Sequence, residues 1–439
     1  MTAMRALFVT FPWRTHFQAC VPLAWALQTA GHEVRVSSGP ELTEVITRSG
    51  LTAVPVGSDE PVLAKLERSQ ADTFRRIAEE HGAPDDLLSD VSENREEELT
   101  WERLRWLYRY LTGTFKAMND SMVEELVEYC RWWQPDLIVW DSLSHAGSIA
   151  ATAVGAAHAR MPIELDVEIR MRRHFLRVRA EQAPQDREDP LGEWLGGWAQ
   201  KYGQPYAEEM VTGQFTIEQM LGSMRVRSDV PHVPVRYLPY NGPAVVPDWA
   251  RHEPSKPRVL ATFGVSQEKD AAGQALSIEQ LQEMLDSVAD LDIELVLTLP
   301  AHLQKELKRV PEHTRMVEFV ALHSVIRSCS AVIHHGGVPA FLVSIAHGVP
   351  QLMVSRVVPD IGERGPRLEE TGAGVWIPAD TPAETSGARI REHLVRLLDD
   401  PAFREGAGRL REELLAQPAP RDVVRRLELL VDRYRGRQA

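Results

Sequence analysis

Six short apolar runs in the second half of the chain limit its fold more than any other feature. They are RVLATFG (258–264), IELVLTL (293–299), TRMVEFV (314–320), AVIHHGG (331–337), PQLMVS (350–355) and GVWIP (374–378). Each is apolar at consecutive positions, as strands covered on both faces are, and helical patterns separate them. The first half is built in the same way, since RALFVTF (5–11), EVRVSS (33–38) and PDLIVWD (135–141) read as buried parallel strands. After the first of these, WRTHFQAC reads as a loop and VPLAWALQTAGH as a helix, with Pro22 near its start and Gly31 past its end. Residues 61–129 are polar and helical in period, and Trp101, Leu104, Trp106, Leu107, Tyr110 and Leu111 fall on core-facing helical faces. IRMRRHFLRVRAEQAPQDREDP (169–190) reads as solvated surface or loop. The five prolines and the Asn241-Gly242 turn of segment 237–257 read as a linker between two α/β layers. The tail from Pro401 to Gln438 reads as a pair of helices broken near Pro418 and Pro420. Two such layers leave a cleft facing the carboxyl ends of their strands, where α/β proteins bind ligands.

With 439 residues, 44% hydrophobic and 26% charged, the chain is long enough for two globular domains of ordinary composition. Its net charge of −14 argues against nucleic acid and against an anionic membrane surface as partners. Cys20, Cys130 and Cys329 are widely spaced and odd in number, which fits free thiols in a reducing cytoplasm and neither a disulfide framework nor a zinc site. No signal peptide pattern opens the chain, and no apolar run is long enough to span a bilayer. No G-x-G-x-x-G follows the first strand, which makes a dinucleotide oxidoreductase a poor reading.

Three places carry candidate chemistry. In AVIHHGGVPAFLVSIAHG a strand ends at His334-His335, and Gly336 and Gly337 allow a tight turn. Pro339 is expected at the first helical position, leaving the N–H groups of Gly336, Gly337, Val338 and Ala340 open to an anion such as a diphosphate, with His335 as a further donor. A plain strand–turn–helix corner explains the same spacing equally well. His16 follows the first strand and is a candidate general base, with Asp141 at the end of another strand to orient it; His145 is a rival for that role. TFGVSQ (262–267) places Ser266 after a strand end, where a hydroxyl meets a phosphate or simply lines a turn.

The chain resembles the family-1 glycosyltransferases of GT-B architecture, which have two Rossmann-like parallel-sheet domains facing a central cleft. Within them it is most similar to the macrolide and polyketide antibiotic transferases of actinobacteria, the erythromycin desosaminyltransferase among them. The motifs that carry this are VPLAWALQTAGHEVRVSS, LTAVPVG, REDPLGEWL, YNGPAVVPDW, HHGG, HGVPQ and LEETGAGVWIP, spread over nearly the whole length. The resemblance implies an acceptor-binding domain over 1–236, a linker over 237–257, a nucleotide-sugar domain over 258–418, and a C-terminal helix over 419–439 that packs back on the first domain. It implies a cytoplasmic enzyme that moves a deoxysugar or aminodeoxysugar from a dTDP-sugar to a polyketide or macrolide hydroxyl with inversion and without a metal or other cofactor. The base falls on His16 and its orienting acid on Asp141. Donor contacts fall on Ser266, Val320, Leu322, His335, Gly336, Gly337, Val338 and Asp360. An auxiliary protein resembling an inactive cytochrome P450, docking between about Thr100 and Cys130, and a second copy of the chain are the partners it suggests.

Two departures from the family pattern stand out. Pro339 and Ala340 replace small or hydroxylated residues after HHGG, and Pro359 and Pro366 stand where relatives have Trp and Gln near the sugar. A highly deoxygenated or amino sugar needs fewer polar partners, so an unusual donor is the favoured reading. A weakened, scaffold-like protein and a nucleotide-sugar epimerase of the same fold are the alternatives.

Overall fold

The computed structural model describes residues 3–69, 91, 93, 95–263, 276–355, 360–379 and 383–435. The chain divides into two compact units. One comprises Met1–Met220, Arg225–Arg236 and Pro418–Ala439, and the other Leu221–Met224 and Tyr237–Gln417. Each is a wholly parallel α/β layer.

The first unit carries strands β1 (Arg5–Val9), β2 (Glu33–Ser38), β3 (Thr52–Pro55), β4 (Leu137–Asp141), β5 (Ala157–Met161), β6 (Phe215–Glu218) and β7 (His232–Pro234). They hydrogen-bond in the order β3-β2-β1-β4-β5-β6-β7. The chain runs from β1 outward to β3, then returns to place β4 on the other side of β1. That reversal opens a crevice beyond the carboxyl ends of β1 and β4, where open α/β sheets bind ligands. The principal helices are α1 (Arg14–Thr29), α2 (Thr43–Arg48), α3 (Trp101–Trp133), α4 (Ala146–Val154), α5 (Val167–Ala180) and α6 (Pro190–Lys201).

The second unit holds β8 (Arg258–Thr262), β9 (Glu294–Thr298), β10 (Thr314–Val317), β11 (Cys329–His334), β12 (Gln351–Ser355) and β13 (Gly374–Pro378), ordered β10-β9-β8-β11-β12-β13. Its reversal falls between β8 and β11. Its longer helices are α7 (Ile278–Ser287), α8 (Val338–His347), α9 (Ile361–Glu370), α10 (Gly387–Asp399) and α11 (Pro401–Ala416). Helix α12 (Pro420–Arg435) belongs to the first unit, where the Tyr434 ring stacks on Phe215 and its hydroxyl donates to the Gln214 carbonyl at 3.0 Å.

The structure corrects several expectations. WRTHFQAC is not a loop: α1 begins at Arg14 after an extended Trp13, and Pro22 lies inside it. Segment 169–190 is solvated surface only in its second half: 183–187 are exposed, but α5 runs to Ala180, and Arg172 is buried with both guanidinium ends paired. Asp189 accepts two bonds of 2.7 Å from it, and Glu208 a third of 2.7 Å. Asp189 also caps α6, whose first helical residue is Pro190. Strands β3, β5, β6 and β7 carry no strong apolar run, and β5 in particular buries His158 and Arg160.

Candidate active site

The carboxyl end of β1 leads through Phe11 and Trp13 into α1, whose third residue is His16. The carboxyl end of β4 is Asp141. The register of β1 on β4 brings the two ends together, and His16 Nδ1 lies 2.6 Å from Asp141 Oδ2, both side chains buried. An ionised carboxylate only accepts, so Nδ1 carries the proton and Nε2 presents its lone pair. The Leu143 N–H donates to the other carboxylate oxygen at 2.8 Å. Phe11 and Trp13 hold the imidazole by edge contacts, with centroids 5.4 and 5.6 Å away. A small pocket lined by Thr10, His16, Cys20, Asp141, Met161 and Ile163 opens on the pair. Burial, then the Asp141 charge, holds the Cys20 thiol far above its usual range, so it is no nucleophile.

His145 does not compete for Asp141. It is the N-cap of α4, wedged against Phe115, Trp140 and Trp194, and burial pushes it down to about 3.

In the second unit β11 ends at His334, and Gly336 turns the chain at φ +87° into α8, with Gly337 as N-cap. A Cβ on Gly336 would stand 2.3 Å from Ile361 Cδ1 and 3.0 Å from Ser355 Oγ; one on Gly337 would stand 2.8 Å from His335 Nε2. Gly336 is therefore required by both its φ and its neighbours, whereas a side chain at 337 would have to displace the His335 ring. Pro339 is the second helical residue, not the first. Nor is the Gly336 N–H open to a ligand, since it donates to His334 Nδ1 at 3.0 Å. That bond fixes the His334 tautomer, so Nε2–H donates to Gln351 Oε1 at 2.8 Å. The remaining open donors of the first turn are Gly337, Val338 and Ala340, which have no intrahelical acceptor by helix geometry. Burial pushes His335 down to about 4, with a backbone hydrogen bond to Thr262 working the other way, so its ring is neutral near pH 7. A neutral imidazole beside open helix-start N–H groups is an arrangement suited to an anionic oxygen.

Two domain profiles match the chain: erythromycin biosynthesis protein CIII-like, N-terminal domain, over residues 25–264, and its C-terminal counterpart over 282–430. The aclacinomycin-T 2-deoxy-L-fucose transferase of Streptomyces galilaeus is 43% identical, covering 98% of this chain and 97% of that protein. The 10-deoxymethynolide desosaminyltransferase of Streptomyces venezuelae is 42% identical, covering 98% of each. Among solved structures, glycosyltransferase VinC in complex with dTDP is 37% identical, with a TM-score of 0.86 over 98% of this chain and all of that one. The chain belongs to the erythromycin CIII-like glycosyltransferases.

As a glycosyltransferase of GT-B architecture, it places its expected site residues in distinct settings. His16 and Asp141 touch. His335, Gly336, Gly337 and Val338 share one turn at the end of β11. Val320 is buried and Leu322 opens a short helix on the segment between β10 and β11, where His323 Nδ1 meets Asn241 Oδ1 of segment 237–257 at 3.0 Å. Asp360 lies at the start of α9, 1% exposed, with both carboxylate oxygens on Arg364 at 2.7 and 3.0 Å. The Arg364 guanidinium lies 5.0 Å from the Phe341 ring centroid of α8, and its charge adds to the depression of His334 and His335. Pro366 sits inside α9. Ser266 and Pro359 lie outside the described residues. The bracing of the glycine turn by His334 and Gln351 had no counterpart among the sequence expectations; the HGVPQ motif that carries Gln351 was the one available signal.

These burials give the glycosyltransferase a stability optimum. His145 and His334 are pushed down to about 3, and His158 and His335 to about 4, all by burial. The unfolded imidazoles titrate near ~6.5, so the unfolded chain binds more protons below that pH, and each group subtracts about 1.4 kcal/mol per pH unit as pH falls. Burial raises Glu168 to about 7 and Glu218 to about 8, so these carboxyls lose their protons at a higher pH in the fold than in the unfolded chain and cost stability as pH rises above their unfolded value of ~4.3. Below about pH 6.5 the four imidazoles outweigh the two carboxyls; above it only the carboxyls act. The thermal midpoint is expected to peak near pH 6.5 and fall on both sides. A midpoint that keeps rising down to pH 5 would contradict the neutral imidazoles.

Proposed function

We propose that this glycosyltransferase moves a deoxysugar or aminodeoxysugar from a dTDP-sugar to a hydroxyl of a polyketide or macrolide aglycone, with inversion at the anomeric carbon. The observation that carries the reading is the 2.6 Å bond between His16 and Asp141. His16 Nε2 takes the acceptor proton as the acceptor oxygen bonds to the anomeric carbon. The bond from that carbon to the diphosphate oxygen breaks, and its electron pair leaves with dTDP. Asp141 stabilises the imidazolium that results. His335 and the start of α8 meet the charge growing on the diphosphate, the service a metal ion gives elsewhere, and the reaction so written needs none. Val320 and Leu322 are assigned to the base of the nucleotide, and Ser266 and Asp360 to the donor. The buried pairing of Asp360 with Arg364 supports an indirect part for that acid, through the guanidinium beside the glycine turn.

The relatives' names supply the donor and acceptor class: desosamine and 2-deoxy-L-fucose as sugars, 10-deoxymethynolide and aclacinomycin as products or acceptors. Among the described residues no helix is long and apolar enough to cross a membrane, and a cytoplasmic location fits the reading. An auxiliary P450-like protein and a homodimer also belong to it, to be tested by co-purification and by mass in solution. The deciding assay offers dTDP-desosamine and dTDP-2-deoxy-L-fucose with 10-deoxymethynolide and an anthracyclinone, with glycosylation read by mass spectrometry. A product carrying one added deoxysugar is expected. Interconversion of free dTDP-sugars, or no turnover alongside tight dTDP binding, would favour the epimerase and the scaffold respectively.

A further inference from the structure

The geometry points to Asn119 as a positioning residue for the Asp141–His16 pair, an inference that rests on the reading of that pair as the base. Asn119 lies in the middle of α3 and is 1% exposed. Its amide touches both sides of the short loop that carries Asp141. Nδ2–H donates to the Leu143 carbonyl at 2.9 Å, and Oδ1 accepts from the Ala146 N–H at 2.9 Å. The second Nδ2 hydrogen goes to the Phe115 carbonyl of its own helix at 2.9 Å. The amide orientation is settled by its partners: Ala146 N–H only donates, and the two carbonyls only accept.

The consequence runs through Leu143. Its carbonyl is held by Asn119, while its own N–H donates to Asp141 Oδ1 at 2.8 Å; the other carboxylate oxygen is the one bonded to His16. The Ser144 N–H closes the same turn on the Asp141 carbonyl at 2.7 Å. Asn119 also satisfies the first N–H of α4 from another helix, because the local N-cap, His145, makes no side-chain cap bond. Asn119 thus fixes the height and rotation of the loop between β4 and α4, and with it the aim of the Asp141 carboxylate. A buried amide with every hydrogen-bonding group used has little freedom to relax, so its loss shifts the loop. Near a general base, misplacement of that kind acts on rate more than on donor affinity.

The test compares Asn119→Ala and Asn119→Asp with wild type and with His16→Ala. Asn119→Asp still accepts from Ala146 but sets a carboxylate oxygen against the Leu143 carbonyl. The readout that needs no substrate is the far-downfield, exchange-protected proton resonance of the His16 Nδ1–H···Asp141 bond, identified by its absence in His16→Ala. In both Asn119 variants this resonance is expected to broaden or move upfield. With dTDP-desosamine and 10-deoxymethynolide, kcat is expected to fall on the order of tenfold while the donor KM stays within about twofold. Melting curves check the fold, and if one variant fails to fold the other decides. An unchanged resonance in a folded variant overturns the assignment of Asn119. Absence of any His16-dependent resonance in wild type instead overturns the reading of the pair itself.

Discussion

Replacing His16 by alanine is expected to lower glycosyl transfer by about three orders of magnitude, the usual contribution of a positioned general base. The acceptor hydroxyl keeps its proton, and no other described imidazole stands against Asp141 to replace it, since His145 is buried and turned into an aromatic cluster. Asp141→Asn is expected to cost nearly as much. It preserves the shape at 2.6 Å but removes the negative charge that selects the Nδ1–H tautomer and stabilises the imidazolium. Both residues lie in the first unit, so the dissociation constant for dTDP is expected to stay within about twofold of wild type. The check pairs single-turnover kinetics with calorimetric binding. Loss of binding together with rate would mean that the pair serves the donor and not the acceptor.

Gly336→Ala is expected to have the second largest effect, on stability and donor binding together. At φ +87° an L side chain is strained by roughly 1–3 kcal/mol, and the added Cβ would stand 2.3 Å from Ile361 Cδ1, so α9 or the turn must move. A loss of about 3 kcal/mol corresponds to a fall of roughly 6–12 °C in the melting temperature of a unit this size. The displaced turn would no longer aim the Gly337 and Val338 N–H groups as α8 sets them, and dTDP affinity is expected to drop at least about tenfold. Differential scanning calorimetry and titration with dTDP check both effects. An alanine variant that melts and binds like wild type would show that the turn is not the cradle.

Much of this was legible in the sequence because both reversals of strand order sit beside strongly apolar strands. The runs ending at Phe11, Asp141, Thr262 and His334 are fully covered on both faces, and such strands look the same wherever they occur. His16, Asp141 and the HHGG turn lie at or just past those ends, which is why position alone drew attention to them. Elements stabilised by distant polar partners were hidden. Arg172 made α5 look like solvated surface, because its partners Asp189 and Glu208 lie 17 and 36 residues away. β5 was masked in the same way by Arg160, which meets Asp166 and Glu168 only once the chain has folded. The start of α1 was missed because Trp13 is not a recognisable cap and Pro22 suggested a later beginning. The Gly336 N–H looked open because nothing local says that His334 turns back to accept it. Asn119 gave no signal, since its partners Leu143 and Ala146 come into reach only when α3 packs on α4.

The most direct measurement is a metal-free calorimetric titration of the purified protein with dTDP, UDP and GDP, on wild type and on His335→Ala. The account predicts tight, dTDP-selective binding by wild type, in the presence of chelator, weakened at least about tenfold when the imidazole is removed. Binding of no nucleotide, or equal binding by the His335 variant, would contradict it. The first would mean that Pro339 and Ala340 have closed the cradle, the second that the diphosphate is held elsewhere.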